Sequence, residues 1–310
     1  MKLAFVFPGQ GSQSVGMMAG FADHPAVRET FAEASAVLGQ DLWALVTDGP
    51  DDDLNRTVNT QPVMLTAGIA VWRAWKAVGG EAPAIVAGHS LGEYTALVCA
   101  GALAFNDAVP LVRFRAQAMQ DAVPAGVGAM AAILGLDAAA VAAACEEAKQ
   151  GQVVEPVNFN TPEQIVIAGH REAVERAIAA ATAKGAKRGV MLPVSAPFHS
   201  SLMKPAAERL AAKLAAVTLQ SPSTPVLHNV DVEEKSTPEA IRAALARQAA
   251  SPVRWVETIQ AMSARGVTHL VECGPGRVLT GMTRRIDRNL KSLALDAGAD
   301  IETTRAVLAG

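Results

Sequence analysis

A serine lies between two glycines in the stretch "AIVAGHSLGEY", residues 84–94. The apolar run 84–87 predicts a short buried strand, and the apolar run 91–99 predicts a helix. The intervening "GHSLG" must then form a tight turn, which is the G-x-S-x-G pattern in its strand–turn–helix context. Such a turn lifts a serine hydroxyl clear of the backbone and leaves N–H groups free beneath it. Ser90 is therefore a candidate nucleophile, and the Leu91 amide is a candidate oxyanion donor.

A serine hydroxyl reacts well only when a base takes its proton, and histidine is the usual base. His199 lies in "LPVSAPFHSSLM", a predicted loop that can face the carboxyl edge of a sheet. His89 is adjacent to Ser90, so its side chain should point elsewhere and serve the structure. The other histidines lack flanking residues that would single them out: His24, His170, His228 and His269. No acidic residue is marked as a third member, so a backbone carbonyl can orient His199 instead.

Two other interpretations of these motifs are open at this stage. A glycine-rich turn with a serine that caps a helix would explain Ser90 without catalysis. The first loop, "GQGSQ", follows a strand and could hold a phosphate. However, Gly9-x-Gly11 is followed by Ser14 rather than by a third glycine, and no G-K-[ST] follows. We therefore favour an oxyanion and pocket loop over a nucleotide site.

The composition and the scattered cysteines fit a protein of the reducing cytoplasm best. Half of the 310 residues are apolar, and the net charge of -3 gives no reason to expect nucleic acid. The three cysteines are scattered and form neither a C-x-x-C pair nor a Cys/His cluster, so no zinc site or disulfide framework is predicted. The N-terminal run "LAFVF" is too short for a secretory signal, and no apolar run is long enough for a membrane span.

The pattern along the chain predicts a large α/β domain that contains a smaller insertion. Strands at 3–7, 84–87, 226–230 and 269–273 alternate with long helical stretches such as 61–78 and 91–120, which favours a parallel sheet covered on both faces. Between residues 123 and 195 the order becomes β-α-β-β-α-β, typical of ferredoxin-like folds. We thus predict an α/β-hydrolase-like domain at 1–122 and 196–310, and a ferredoxin-like domain at 123–195.

The chain resembles the malonyl-CoA:acyl carrier protein transacylases of bacterial fatty acid synthesis. The resemblance covers nearly the whole length and rests on several long motifs in the same order: "FVFPGQGSQ" (5–13), "TQPVMLTAG" (60–68), "GHSLGEYTAL" (88–97), "GAMAAILGL" (128–136), "VNFNTPEQIVIAG" (157–169), "PVSAPFHSSLMKP" (193–205) and "VECGPGRVLTGM" (271–282). Several ordered motifs are far more specific than one G-x-S-x-G. The family's two-domain fold agrees with the organisation predicted from the pattern.

The resemblance implies roles for individual residues. Ser90 matches the nucleophile that carries the acyl group, and His199 matches the general base and acid. Gln10 matches the residue that supplies the second oxyanion amide, and Arg115 matches the partner of the malonyl carboxylate. Gln248 matches the residue whose carbonyl orients the histidine, and Asn160 matches a residue of the pocket lining.

Two of these positions concern the choice of acyl group. A planar guanidinium binds a carboxylate through two parallel bonds, so a buried Arg115 should favour malonyl over acetyl groups. Arg113 lies on a different helix face, and only the resemblance selects Arg115. Phe198 precedes His199, and a bulky residue there accompanies malonyl use in related acyltransferases. Its simpler interpretation is a packing aromatic.

The expected substrates are malonyl-CoA and acyl carrier protein, with no metal or tightly held cofactor. Because acyl carrier protein is acidic, a basic dock is expected, and the candidates are Lys187, Arg188, Arg284 and Arg285. Three alternatives stay open: a serine esterase or thioesterase, a non-catalytic acyl-group sensor, and a domain of a polyketide synthase. The initial methionine and the lack of flanking linkers disfavour the last of these.

Overall fold

The fold, taken from a computed structural model, is described for residues 1–194 and 196–309. The strands are β1 (Leu3–Phe7), β2 (Ile85–Gly88), β3 (Gly128–Leu134), β4 (Val154–Thr161), β5 (Gln164–His170), β6 (Arg188–Met191), β7 (Val226–Leu227), β8 (His269–Cys273) and β9 (Lys291–Leu295). The helices are α1 (Pro25–Leu38), α2 (Leu42–Asp48), α3 (Asp51–Asn55), α4 (Thr57–Ala77), α5 (Gly92–Cys99), α6 (Phe105–Asp121), α7 (Ala138–Ala148), α8 (Arg171–Ala183), α9 (Lys204–Ala215), α10 (Pro238–Gln248), α11 (Trp255–Ala264), α12 (Val278–Ile286) and α13 (Gly298–Ala309).

A parallel sheet of order β7-β2-β1-β8-β9 forms the centre of the large domain. Strands β1, β2 and β7 are buried on both faces because successive side chains enter opposite cores. Phe5 and Phe7 of β1 belong to the larger core cluster, whereas Ala4 and Val6 belong to a second cluster on the other face. The carboxyl ends of β1 and β2 lie side by side, and loops that follow such ends commonly build active sites.

The small domain is an antiparallel sheet of order β4-β5-β3-β6 with its own apolar core. Two helices, α7 and α8, pack against each other and against this sheet. The chain order β3-α7-β4-β5-α8-β6 is the predicted ferredoxin-like unit, so the predicted fold class is confirmed. The boundaries at 122/123 and 195/196 stay predictions, and Ser195 and Gly310 lie outside the described residues.

The small sheet contacts the large domain at β4, which pairs with the loop before α11. The amide of Phe159 donates to the Val253 carbonyl at 3.0 Å, and the Val253 amide donates to the Val157 carbonyl at 2.8 Å. These two bonds form an isolated parallel bridge between Asn158 and Val253, which links the small domain to the large one.

Two of the local predictions differ from the structure, and one strand was not predicted. The stretch 91–120 forms two helices, α5 and α6, because Gly101 adopts a positive φ of 71° between them. The strand predicted at 226–230 ends at Leu227, since the next two side chains turn inward to polar partners. The edge strand β9 was not predicted. Within the described ranges, no helix combines the length and apolarity needed to cross a membrane.

Candidate active site

The turn between β2 and α5 carries Ser90 at the carboxyl edge of the parallel sheet. Ser90 has a φ of 53°, in the left-handed region that non-glycine residues rarely adopt and that costs about 1–3 kcal/mol. The flanking glycines are required by close backbone contacts. A Cβ on Gly88 would lie 1.9 Å from the Gly92 carbonyl carbon, and a Cβ on Gly92 would lie 2.0 Å from the Phe7 oxygen. The turn thus holds the serine in a strained, tightly packed position.

His199 faces this serine from the loop that follows the small domain. Its Nε2 lies 2.7 Å from the Ser90 Oγ, and its Nδ1 lies 2.9 Å from the Gln248 carbonyl oxygen. Because a carbonyl can only accept, Nδ1 must carry the ring proton, and Nε2 is left to accept the serine proton. The backbone amide of His199 also donates to the Ala249 carbonyl at 3.1 Å. The end of α10 therefore orients both the ring and the backbone of this histidine.

The imidazole of His199 is neutral at ordinary pH. The pKa of His199 is lowered from 6.5 to about 3. Burial is the largest cause of this shift, and the positive charge of Arg115 is the second. The bond to the Gln248 carbonyl opposes the shift but is outweighed. A neutral imidazole whose free nitrogen faces a hydroxyl can act as a general base.

Arg115, on α6, is buried and points at the serine. One terminal nitrogen donates to the Ser90 Oγ at 3.1 Å and to the Gln248 Oε1 at 2.8 Å, and the other donates to the Gln61 Oε1 at 2.9 Å. Its Nε has no hydrogen-bond partner among the described residues. Burial lowers the pKa of Arg115, an effect that the nearby Tyr94 and Glu93 oppose. All three bonding partners of Arg115 are uncharged, and the buried Glu93 carboxylate reaches it only through the Gln248 side chain, so the guanidinium has no direct ion-pair partner among the described residues and can bind an entering carboxylate.

The other arginine of this helix turn has a different environment. Arg113 is half-buried, and its guanidinium donates to the Gln40 side chain. The spacing alone did not choose between the two arginines, and the structure places only Arg115 at the serine.

A small cavity of about 100 Å³ opens in front of these groups. Its walls are the two candidate oxyanion residues, the serine, histidine and arginine described above, and several apolar and amide side chains: Gln10, Gln61, His89, Ser90, Leu91, Arg115, Met119, Met130, Asn158, Leu192, Val194, Phe198 and His199. Gly9 brings the first loop against the turn, since a Cβ there would lie 2.5 Å from the His89 carbonyl oxygen. The amides of Gln10 and Leu91 donate to no other described residue, so both are free to bind an oxyanion.

Of two residues expected to line the pocket, the structure places only Phe198 in the cavity wall. Asn160 does not line the cavity. Its Oδ1 instead forms a hydrogen bond of 2.8 Å with the Nε2 of His89. Asn158, one strand repeat earlier on β4, takes the lining position instead. His89 also lines the cavity, so a purely structural role for it stays a prediction, and burial lowers its pKa.

Besides Asn158, four residues that support the site were missed in the sequence. Gln61 supports Arg115, and Asn229 binds the Ser90 amide and the Gly88 carbonyl, both at 2.7 Å. Glu93 accepts bonds from the His228 ring, the Asn229 amide and the Gln248 side chain. Glu155, on β4, accepts from the amide and hydroxyl of Ser201, which anchors the loop of the catalytic histidine candidate. The available signal was polar residues inside apolar runs, such as "HN" within "VLHNV".

Comparisons with known proteins show the family of this chain. A family model described as an acyl transferase domain matches residues 4–306. The Malonyl CoA-acyl carrier protein transacylase of Escherichia coli K12 is 60% identical over 296 residues, which cover 95% of this chain and 96% of that protein. The protein of the same name from Bacillus subtilis is 46% identical over 97% of this chain and 95% of its own length.

Solved structures give the same result. An acyl-carrier-protein S-malonyltransferase from Burkholderia pseudomallei superposes with a TM-score of 0.98 at 60% identity, covering 99% of this chain and 100% of that chain. A malonyl-transacylase described in complex with a type II polyketide synthase acyl-carrier protein has a TM-score of 0.98 at 53% identity, over 99% and 100% of the two chains. This chain therefore belongs to the acyl transferase family and, within it, to the malonyl CoA-acyl carrier protein transacylases.

Proposed function

We propose that this chain transfers the malonyl group of malonyl-CoA to the phosphopantetheine thiol of acyl carrier protein through an ester on Ser90, in fatty acid biosynthesis. The observation that carries the proposal is a buried arginine 3.1 Å from a serine hydroxyl that also lies 2.7 Å from a neutral histidine. A cation at that depth is suited to an acyl group that ends in a carboxylate. The names of the relatives supply the donor and the acceptor.

In the first half-reaction, Arg115 binds the free carboxylate of malonyl-CoA. The Ser90 Oγ attacks the thioester carbon while the Nε2 of His199 takes the hydroxyl proton. The carbonyl oxygen becomes an oxyanion that the amides of Gln10 and Leu91 stabilise. As the C–S bond breaks, the histidine returns the proton to sulfur, and coenzyme A leaves as a thiol.

In the second half-reaction, the thiol of the carrier's phosphopantetheine enters the same site. It gives its proton to His199 and attacks the ester carbon. The C–O bond breaks, and the proton passes to Ser90, which restores the free enzyme. No metal or resident cofactor takes part in this ping-pong scheme. We place the reaction in the reducing cytoplasm, in keeping with the scattered cysteines.

Three of the four basic residues of the expected dock, Lys187, Arg188 and Arg285, lie at one end of the small sheet, where Lys187 also lies 3.9 Å from the Glu163 carboxylate. Arg284 is adjacent to Arg285 on α12, and its guanidinium donates to the Ser292 carbonyl of β9. Leu134 of β3 pairs with Arg188 on one side and with Gln164 on the other, and the guanidinium of Arg285 donates to that glutamine at 3.3 Å. All four side chains are exposed: Lys187, Arg188, Arg284 and Arg285. Strand β6 leads from this end to Leu192 at the cavity. We propose this cluster as the dock for the acidic carrier.

Reversal of two charges in this cluster tests the dock. The double variant Arg188→Glu and Arg284→Glu should raise the KM for acyl carrier protein about 10-fold, because each exposed contact contributes modestly. The KM for malonyl-CoA should stay unchanged. The difference between variant and wild type in the KM for acyl carrier protein should shrink at high salt. Arg305→Glu on α13 is the matched control and should leave both KM values alone. Equal increases in the two KM values would contradict the docking role.

The experiment that tests the proposed function is intact-protein mass spectrometry after mixing with malonyl-CoA. We expect one added malonyl group on a peptide that contains Ser90, released as malonyl-carrier on addition of acyl carrier protein. Ser90→Ala should gain no mass. The proposal fails if the wild-type protein never carries the group, or if the carrier does not accept it.

The same experiment separates the proposal from an esterase or thioesterase. Such an enzyme would pass the ester to water and would have no use for the buried Arg115. Closed sites protect reactive esters from hydrolysis. We therefore expect the malonyl adduct to persist in buffer for many turnovers of the transfer reaction.

A further inference from the structure

The turn that carries Ser90 is strained, and one side chain binds its backbone at two points, the Gly88 carbonyl and the Ser90 amide. The φ of 53° at Ser90 is unfavourable for a residue with a Cβ, so neighbouring groups must hold it. Asn229, which follows β7, is fully buried beside the turn. Its Oδ1 accepts from the Ser90 amide at 2.7 Å, and its Nδ2 donates to the Gly88 carbonyl at 2.7 Å.

Asn229 is itself fixed to the helix that starts at the turn. Its backbone amide donates to the Oε2 of Glu93 at 2.9 Å, and the ring of the preceding His228 lies 2.7 Å from the other carboxylate oxygen. Glu93 lies in the first turn of α5, and its side chain is fully buried. The asparagine amide is therefore held rigidly and can impose its geometry on the turn.

These bonds decide which amides face the cavity. Because the Ser90 N–H is used by Asn229, it cannot turn toward the substrate, and the next amide, that of Leu91, is left as the donor on this side. We propose that Asn229 is a positioning residue that holds the serine turn in its reactive conformation. The inference rests on the proposed function for the identity of the acyl group, but its physical content concerns the reactivity of Ser90.

Two variants of Asn229 test this role. Asn229→Ala removes both bonds, and the rate constant for malonyl loading of Ser90 should fall about 100-fold, because small misplacements of a nucleophile are costly. Asn229→Asp can still accept from the Ser90 amide but cannot donate to Gly88, so a loss of about 10-fold is expected. The dissociation constant for malonyl-CoA should stay within threefold in both variants, since Gln61 and Gln248 still support Arg115.

A second readout does not depend on the malonyl group. A fluorophosphonate probe labels activated serines, and its rate of labelling of Ser90 should fall in parallel in the two variants. A wild-type protein that reacts with the probe but never accepts malonyl would contradict the proposed function. The comparison of probe rates would still test the role of Asn229.

Asn59→Ala is the matched control for a merely structural role. Asn59 is also buried, and its side chain makes two bonds, to the Gln40 side chain and to the Asp53 carbonyl. It should lose stability but keep the loading and labelling rates. The inference is overturned if folded Asn229→Ala reacts at the wild-type rate, or loses rate only in proportion to its unfolded fraction. If that variant does not fold, a wild-type rate in Asn229→Asp overturns it.

Discussion

Replacement of Arg115 by alanine is expected to lower kcat/KM for malonyl-CoA about 1,000-fold, because a buried carboxylate would lose its charged partner. Acetyl-CoA has no such group, and its loading should change less than about 10-fold. The selectivity for malonyl over acetyl should therefore collapse by about 100-fold or more, which corresponds to about 3 kcal/mol. The measurement is the initial rate of serine ester formation with each thioester.

Two further variants separate the geometry of the arginine from its charge. Arg115→Lys keeps the cation but cannot form two parallel bonds, so an intermediate loss with malonyl-CoA is expected. Arg113→Ala removes a neighbouring arginine that binds only Gln40 among the described side chains and should leave the selectivity unchanged. Equal losses of malonyl and acetyl loading in Arg115→Ala would show that the residue supports Ser90 rather than the substrate carboxylate.

The parts of the site that the sequence predicted are those set by local chain geometry. The G-x-S-x-G motif leaves only three residues between β2 and α5, so the chain must turn tightly and the position of Ser90 follows from its immediate neighbours. Parallel strands place their carboxyl ends at one edge, which brings the loop of Gln10 beside that turn. The β-α-β-β-α-β order likewise depends on local periodicity, and it was recognised without tertiary information.

The parts that the sequence missed are contacts across large separations in the chain. Gln61 supports Arg115 from another helix, and Asn229 reaches the serine turn from a loop 139 residues away. A polar residue in an apolar run signals a buried partner but does not identify it. The same limit explains why the strand predicted at 226–230 was too long. The apolar composition did not show that His228 turns toward Glu93.

The pairing of Ser90 with His199 was inferred from loop context and resemblance, and its chemistry makes a second strong prediction. His199→Ala should lower the rate constant for serine loading by about 10,000-fold, the upper range for loss of a general base. The imidazole also donates the proton that the coenzyme A sulfur takes up on leaving. The variant therefore loses the general acid as well as the general base. His199→Gln should be equally inactive, because an amide cannot take a proton at neutral pH.

The pH profile distinguishes this histidine from an ordinary one. With a pKa of about 3 it stays neutral as the pH falls from 8 to 5, so kcat/KM for loading, which reports the free enzyme, should stay nearly constant. A histidine with a pKa of about 6.5 would be only about 3% neutral at pH 5 and would lose about 30-fold. Burial is the larger cause of the shift and the Arg115 charge the second. In Arg115→Ala, the inflection measured with acetyl-CoA should therefore move to higher pH.

The same shift has a consequence for stability, with a definite sign. Between pH 6.5 and about 3 the unfolded chain binds a proton on His199 that the folded chain excludes, so the free energy of unfolding must fall as the pH falls through this window. His199→Gln removes this proton uptake and should flatten the decline measured by urea unfolding. A loading rate that drops 30-fold between pH 8 and 5, with no difference between the two unfolding profiles, would mean that the imidazole is solvated and is not held against Ser90 as described.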